Sequence, residues 1–337
     1  MRHPNGAWFY GDSIGFEGLI AATDVLDDPR YLSFAHGFLR GWAARDRPYR
    51  EDDNTAPGHA LCTIVERTGD GLLLEAGRRL AEHLGARRRI AGVSVTFEDA
   101  RRSLRPPYGP VELSQEEAAL LDDPGAGIYV DCLHFDPPFL AHLARLTGED
   151  DWATRAIDEA LGYWRLLGDP ATQLIHHFWL ERTGRAYGLG WGRGQGWALL
   201  GLLDVVALVD HDRPGRVELA GHALALADAM VRRQRDDGGW NAVVQLPASG
   251  DETSTAAFMA VAFHRGIALG VLPVEPFAPA GERAWAATRG ALDETGLLAG
   301  VSAAVYSSTA LEHYAHVPRG FDVPWGQGPL LVAARGS

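Results

Sequence analysis

The sequence predicts an all-α fold, and three observations carry that prediction. Large and small apolar residues recur in steps of four, such runs come in pairs joined by short Gly/Asp turns, and strand-like stretches are few. A step of four describes one face of a helix, and small residues between large ones let that face pack closely on its neighbours. Paired in this way the helices form hairpins. About six hairpins either stack as an open solenoid or close into a toroid that leaves no exposed end repeat.

The first hairpin joins GFEGLIAATDVLDD (15–28) to a helix carrying Tyr31, Ala35, Leu39 and Trp42 on one face. The second joins GHALCTIVERTGD (58–70) to a helix with Leu72, Ala76 and Leu80. The stretch RRSLRPPYGPVELSQEEAALLDDPGAG (101–127) interrupts the pattern. It resumes with PPFLAHLARLTGED (137–150), then Trp152, Ala156, Ala160 and Tyr163. Further helices are predicted at WALLGLLDVVALV, VELAGHALALADAMVRRQ and TSTAAFMAVAFHRGIALG, the last followed by Phe277, Gly281 and Trp285, and finally at GPLLVAA. AGVSVTF and WNAVVQL are the best strand candidates. Residues 1–337 are expected to form one domain.

A 46% hydrophobic fraction with 10 Trp, 12 Phe and 9 Tyr supports a sizeable core. The net charge of −13 repels nucleic acid and anionic membranes at long range. No apolar run approaches the roughly 20 residues that span a bilayer. The opening MRHPNGAWFYGD lacks the apolar core of a signal peptide, and two cysteines make no disulfide framework, so a reducing cytoplasm is expected. An anionic ligand would therefore be held by a few local bases. The arginines at 87–89 and 101–102 read as solvated or partner-contacting, with a lid over an acidic ligand as the other reading.

Gly11-Asp12-Ser13-Ile14-Gly15 matches the spacing of a nucleophile elbow, but that motif works on a strand-to-helix turn and here it precedes a helix. The histidine pairs His176/His177 and His313/His316 lack zinc-site spacing, so no metal is expected. The run GLGWGRGQGW (188–197) fails nucleotide-loop spacings. It offers one cation, Arg193, between the indoles of Trp191 and Trp197; these suit a carboxylate and a sugar face, or else simply enter a core helix. Asp53, ahead of a predicted helix, suits an N-terminal cap. Asp131 stands in IYVDCLHFDPPFL among apolar and aromatic neighbours. A carboxylate so placed either caps a helix or is pushed to a raised pKa and donates a proton.

Five segments, in order, resemble the unsaturated uronyl hydrolases of glycoside hydrolase families 88 and 105. They are Asp53-Asn54-Thr55-Ala56-Pro57-Gly58, YVDCLHFDPPFLAHLARLTGED around Asp131, Trp191-Gly192-Arg193-Gly194-Gln195-Gly196-Trp197, ETSTAAF (252–258) and the closing Trp325–Leu331. The resemblance implies an (α/α)6 barrel, no metal or cofactor, and an oligosaccharide substrate with a 4,5-unsaturated uronic acid at its non-reducing end. It also implies hydration of the C4=C5 bond, with Asp131 protonating C4 and helping to activate the water that adds at C5. Asp53 would hold a sugar hydroxyl and influence the ionisation of Asp131. His177, in His177-Phe178-Trp179, resembles the family's H-x-W ligand, and Arg193 and Trp197 would contact the saccharide. Two departures are visible: Leu180 and Glu181 follow where Asp is usual, and residues 101–127 replace an aromatic-histidine stretch. Tyr108, Arg101, Arg102 and Arg105 are the candidates for the substrate carboxylate. An inverting glycosidase using Asp53 and Asp131 across a gap of roughly 6.5–9.5 Å, or a non-catalytic saccharide binder, are the alternatives.

Overall fold

The computed structural model describes residues 8–45 and 47–336. Its helices, in chain order, are α1 Asp12–Leu26, α2 Pro29–Ala43, α3 Gly58–Thr68, α4 Gly71–Gly85, α5 Gln115–Asp122, α6 Cys132–Thr147, α7 Asp150–Leu167, α8 Gly192–Leu208, α9 Arg216–Val231, α10 Thr253–Ala268, α11 Val274–Gly290, α12 His313–His316 and α13 Pro324–Arg335. Helices α1, α3, α6, α8, α10 and α13 each pack on the next, and α13 returns to α1, so the ring closes. Outside it, α2 packs on α1, α4 on α3, α7 on α6, α9 on α8 and α11 on α10. The fold is the (α/α)6 toroid and not the open solenoid. Its last inner helix follows the irregular segment 291–323, where the one-turn α12 is the sole helix among the described residues. The bridge Leu104–Ser307 ties that segment to the 101–127 stretch, and Ser302–Arg319 closes it on itself.

The inner and outer helices differ as their positions require. On α8 every residue from Gly192 to Val206 is buried, whereas α4 buries one face, with Leu73, Ala76, Leu80 and Leu84 inward. Asp28 and Asp70 cap α2 and α4, and Gly69 and Gly148, at φ 67° and 73°, end α3 and α6. Ring closure depends on bare backbone. A Cβ on Gly18 of α1 would lie 2.8 Å from Gly328 Cα of α13, and one on Gly201 of α8 would lie 2.3 Å from the Leu133 carbonyl of α6.

Helix α6 begins at Cys132, five residues ahead of the Pro137-Pro138 pair where the sequence places its start. The prolines cost the Leu133 and His134 carbonyls their helical partners without stopping the helix. The strands also depart from expectation. β1 Arg89–Ile90 and β2 Val93–Ser94 form a small hairpin that includes part of AGVSVTF, while WNAVVQL makes isolated bridges only. A three-stranded antiparallel sheet, β3 Gly127–Tyr129, β4 Phe178–Leu180 and β5 Arg185–Tyr187, was not legible because three residues carry too little alternation. Its register pairs Tyr129 with Phe178, which sets the start of α6 beside His177.

Candidate active site

All inner helices run the same way, and the residues just ahead of α1, α3, α6 and α8 meet at one end of the ring. There Tyr10, Thr55, Asp131 and Trp191 line a cleft of about 630 Å³, together with Thr96, Arg102, Tyr129, His177 and Tyr306. A larger groove of about 1070 Å³ between α10, α11 and α13, lined by Ala260, His264, Phe277 and Trp285, contains none of the predicted site residues. The cleft combines aromatic walls with a few converging polar groups, which is the composition of a small-ligand site.

Asp131 holds the N-terminal position of α6 in helical conformation, φ −54° and ψ −38°, and its side chain caps nothing. Burial pushes its carboxyl up to about 6, against the opposing pull of the Arg193 charge. His177 Nε2 lies 3.7 Å from Asp131 Oδ2, beyond hydrogen-bond length. Burial, then the neighbouring His313 and Arg193, holds His177 well below the usual imidazole range, so it is neutral near pH 7. Its Nδ1 is hydrogen-bonded to the Tyr314 hydroxyl at 2.7 Å, and its ring lies 4.2 Å from that of Trp191. Asp131 is thus a buried acid with an adjacent neutral imidazole and, among the described residues, no cation bound to it.

Arg193 stands behind the cleft, fully buried. Its guanidinium donates to Glu252 Oε1 at 3.0 Å, Ser302 Oγ at 2.9 Å and Ser254 Oγ at 3.2 Å, and it lies 5.0 Å from the Trp191 ring centroid. Glu252 caps α10 through the Thr255 N–H, and the Arg193 charge with these hydrogen bonds outweighs its burial and lowers its pKa. Arg193 therefore braces the wall and does not line the cleft as the expected saccharide contact would.

Trp197 also departs from expectation. It is wholly enclosed, edge-on to Phe258 and Phe135 and close to His134, because the second turn of α8 faces the ring interior. Asp53 is buried too, but its carboxylate is turned away from the cleft. It accepts from the Trp42 indole at 3.1 Å and the Arg50 amide at 2.9 Å, and pairs with Arg45 at 2.6 Å. Among the described residues that line the cleft Asp131 is the one carboxylate, so the second carboxylate of an inverting pair is not seen there. Ser13 lies inside α1 with its hydroxyl on Glu17, so the elbow-like motif forms no nucleophile. Glu181, after the H-x-W element, is at the surface and paired with Arg88.

The cleft contains residues that the sequence reading did not select. Tyr10 and Tyr129 have burial-raised pKa values and Tyr129 is hydrogen-bonded to Ser307 at 3.0 Å. Tyr306 has a positive φ of 53°, uncommon for a bulky residue and frequent at functional sites. Tyr10, next to the elbow-like motif, had the one local signal, an aromatic cluster at Trp8-Phe9-Tyr10. Among the described residues no three His, Cys, Asp or Glu side chains converge as a metal site would need, and no helix is long and apolar enough to cross a membrane.

The glycosyl hydrolase family 88 model matches residues 2–335, nearly the whole chain. The chain belongs to that family. It is a glycoside hydrolase. This family-88 hydrolase is 24% identical, over 97% of its length and 88% of the relative's, to the unsaturated rhamnogalacturonyl hydrolase YesR of Bacillus subtilis. Its fold matches a family-105 hydrolase of C. acetobutylicum with a TM-score of 0.80 at 18% identity, covering 99% and 95% of the two chains. It also matches the unsaturated glucuronyl hydrolase of Bacillus sp. GL1, described as responsible for the degradation of glycosaminoglycan, with a TM-score of 0.68 at 18% identity over 98% and 86%.

Proposed function

We propose that this family-88 hydrolase removes a 4,5-unsaturated uronic acid from the non-reducing end of oligosaccharides left by a polysaccharide lyase. The observation that carries the reading is Asp131, buried in an aromatic cleft, bound to no cation among the described residues and raised to about 6. A vinyl ether is a weak base, and its protonation calls for an acid still loaded near neutral pH. The Asp131 carboxyl gives its proton to C4, and the ring oxygen shares the charge that forms at C5. Water adds at C5 and returns a proton to the Asp131 carboxylate. The hemiketal at C5 then opens to a ketone, leaving a C1 hemiacetal that expels the saccharide as an alcohol. No net proton is gained or lost by the enzyme. The names of its relatives, unsaturated rhamnogalacturonyl and unsaturated glucuronyl hydrolases, support this substrate class.

In this reading Trp191, Tyr10 and His177 contact the sugar. Arg193, Trp197 and Asp53 act through the residues they brace. The chain works as one catalytic domain, without cofactor, and its two buried free thiols, Cys62 and Cys132, suit a reducing cytoplasm.

The test follows the ultraviolet absorbance of the conjugated double bond in unsaturated disaccharides from pectin, rhamnogalacturonan and glycosaminoglycan lyase digests. Loss of absorbance that disappears in Asp131→Asn is the expected result. A flat trace across the panel from folded enzyme, or turnover of saturated glycosides, would overturn it.

A further inference from the structure

The proposed substrate brings a carboxylate, attached at C5, into a cleft whose own acid is already buried. That anion needs a counter-charge close to the reacting carbons. His177 is neutral near pH 7. Arg193, whose terminal nitrogens donate to Glu252, Ser254, Ser302 and the Ala303 carbonyl, is wholly enclosed behind the cleft wall and does not line it, although its Nε has no hydrogen-bond partner among the described residues. Neither presents a cation at the cleft wall.

The candidates in the segment that interrupts the hairpin pattern separate by position. Arg101 turns outward and pairs with Asp99 at 2.5 Å. Arg105 spends its guanidinium on the carbonyls of Arg101, Leu104 and Arg102 and lies over the Tyr306 ring. Tyr108 stacks on His313 with ring centroids 5.2 Å apart, away from the cleft lining. Arg102 remains. It is the one lysine or arginine among the described residues that line the cleft. It closes a one-turn helix at 100–102, and its guanidinium lies 5.6 Å from the Phe97 ring centroid, which fixes the direction of the fork.

Arg102 is not idle in the structure. It pairs with Glu51 at 2.6 Å and Asp52 at 3.0 Å, both about half exposed. Pairs between exposed groups are weak and exchange readily, whereas a planar fork accepts a carboxylate in bidentate fashion. We infer that Arg102 binds the substrate carboxylate, and that Glu51 and Asp52 hold its guanidinium at the cleft mouth until substrate displaces them. The inference rests on the proposed reaction and names the residue that makes it selective for a free uronic acid.

The experiment compares one unsaturated disaccharide with its uronate methyl ester, which keeps the double bond and removes the charge. The parent should prefer the acid. Arg102→Gln should lower kcat/KM on the acid by about 10- to 100-fold, the range of a charge-assisted hydrogen bond, while leaving the ester nearly unchanged. Arg102→Lys should restore part of the preference. The double variant Glu51→Gln/Asp52→Asn, which frees the guanidinium, should lower KM for the acid only. Equal losses on acid and ester in Arg102→Gln, or no loss on the acid, would overturn the assignment while leaving the hydration reaction intact. A parent that consumes neither substrate would overturn the reaction, and the assignment with it.

Discussion

Two inner helices of this toroid begin at a buried carboxylate, and the two carboxylates behave in opposite ways. At the start of α10, Glu252 caps the helix and accepts from Arg193, Ser254, Thr255 and the Ser302 backbone, and its pKa is lowered. At the start of α6, Asp131 caps nothing, pairs with no guanidinium among the described residues, and is raised to about 6. Burial is similar at both sites. At these two sites the partners decide which carboxyl becomes a fixed anion and which keeps a proton; at Asp136, burial and the neighbouring Glu159 raise the carboxyl to about 6 even though Arg87 pairs with it at 2.8 Å. The Arg193–Glu252 pair serves both ends of this contrast: it engages one terminal nitrogen of the guanidinium, which contributes only a long-range pull on Asp131 and no bond to it.

The largest test of the contrast is Asp131→Asn. It should cut turnover by about 10²- to 10⁴-fold, the usual contribution of a general acid, with an unchanged circular dichroism spectrum. Glu252→Gln should do the reverse. It leaves the buried Arg193 charge uncompensated and should cost about 3–5 kcal/mol, read as a lower urea midpoint. If Glu252→Gln left the midpoint unmoved, the brace would not be structural.

Titration sharpens the same comparison. For Asp131 the folded value lies above the unfolded one, so the folded state binds the extra proton between about pH 4 and 6. The parent is therefore penalised above pH 6. Asp131→Asn should be more stable there by up to about 3 kcal/mol, since each tenfold change in proton affinity is worth about 1.4 kcal/mol. That gain should vanish as pH falls below 4. Glu252, with its folded value lowered, contributes stability that is complete above its unfolded value of 4.5 and is lost at lower pH. In activity, kcat should fall about tenfold per pH unit on the alkaline side of the Asp131 titration. A profile flat from pH 6 to 9 would count against Asp131 as the donor.

The smallest effect is expected from Tyr314→Phe, which removes the 2.7 Å hydrogen bond to His177 Nδ1. About 1 kcal/mol of stability and a few-fold loss in kcat/KM should follow, as for a single buried hydrogen bond.

Much of the architecture was legible because helix periodicity is local. Steps such as Tyr31-Ala35-Leu39-Trp42 mark packed faces, and Ala35, Leu39 and Trp42 are indeed buried. Tyr129, Cys132 and Phe135 line the cleft beside Asp131, while Tyr10, His177, Trp191 and Tyr306 come from distant segments, so its apolar setting was legible in part. The roles of Asp53, Arg193 and Trp197 were not. Each has the composition of a sugar-binding residue, yet Arg45, Glu252 and Phe258 claim them from elsewhere in the chain.

The sequence by itself therefore determined the all-α class and the hairpin repeat, because periodicity is written within a few residues, and it marked Asp131 as a candidate acid. Ring closure at Gly18 and Gly328 was decided by tertiary structure alone. So were the meeting of Asp131 with His177, and the choice of Arg102 over its neighbouring arginines to face the cleft. Those are contacts between distant segments, and the desolvation and partner geometry that set their chemistry exist only once the chain has folded.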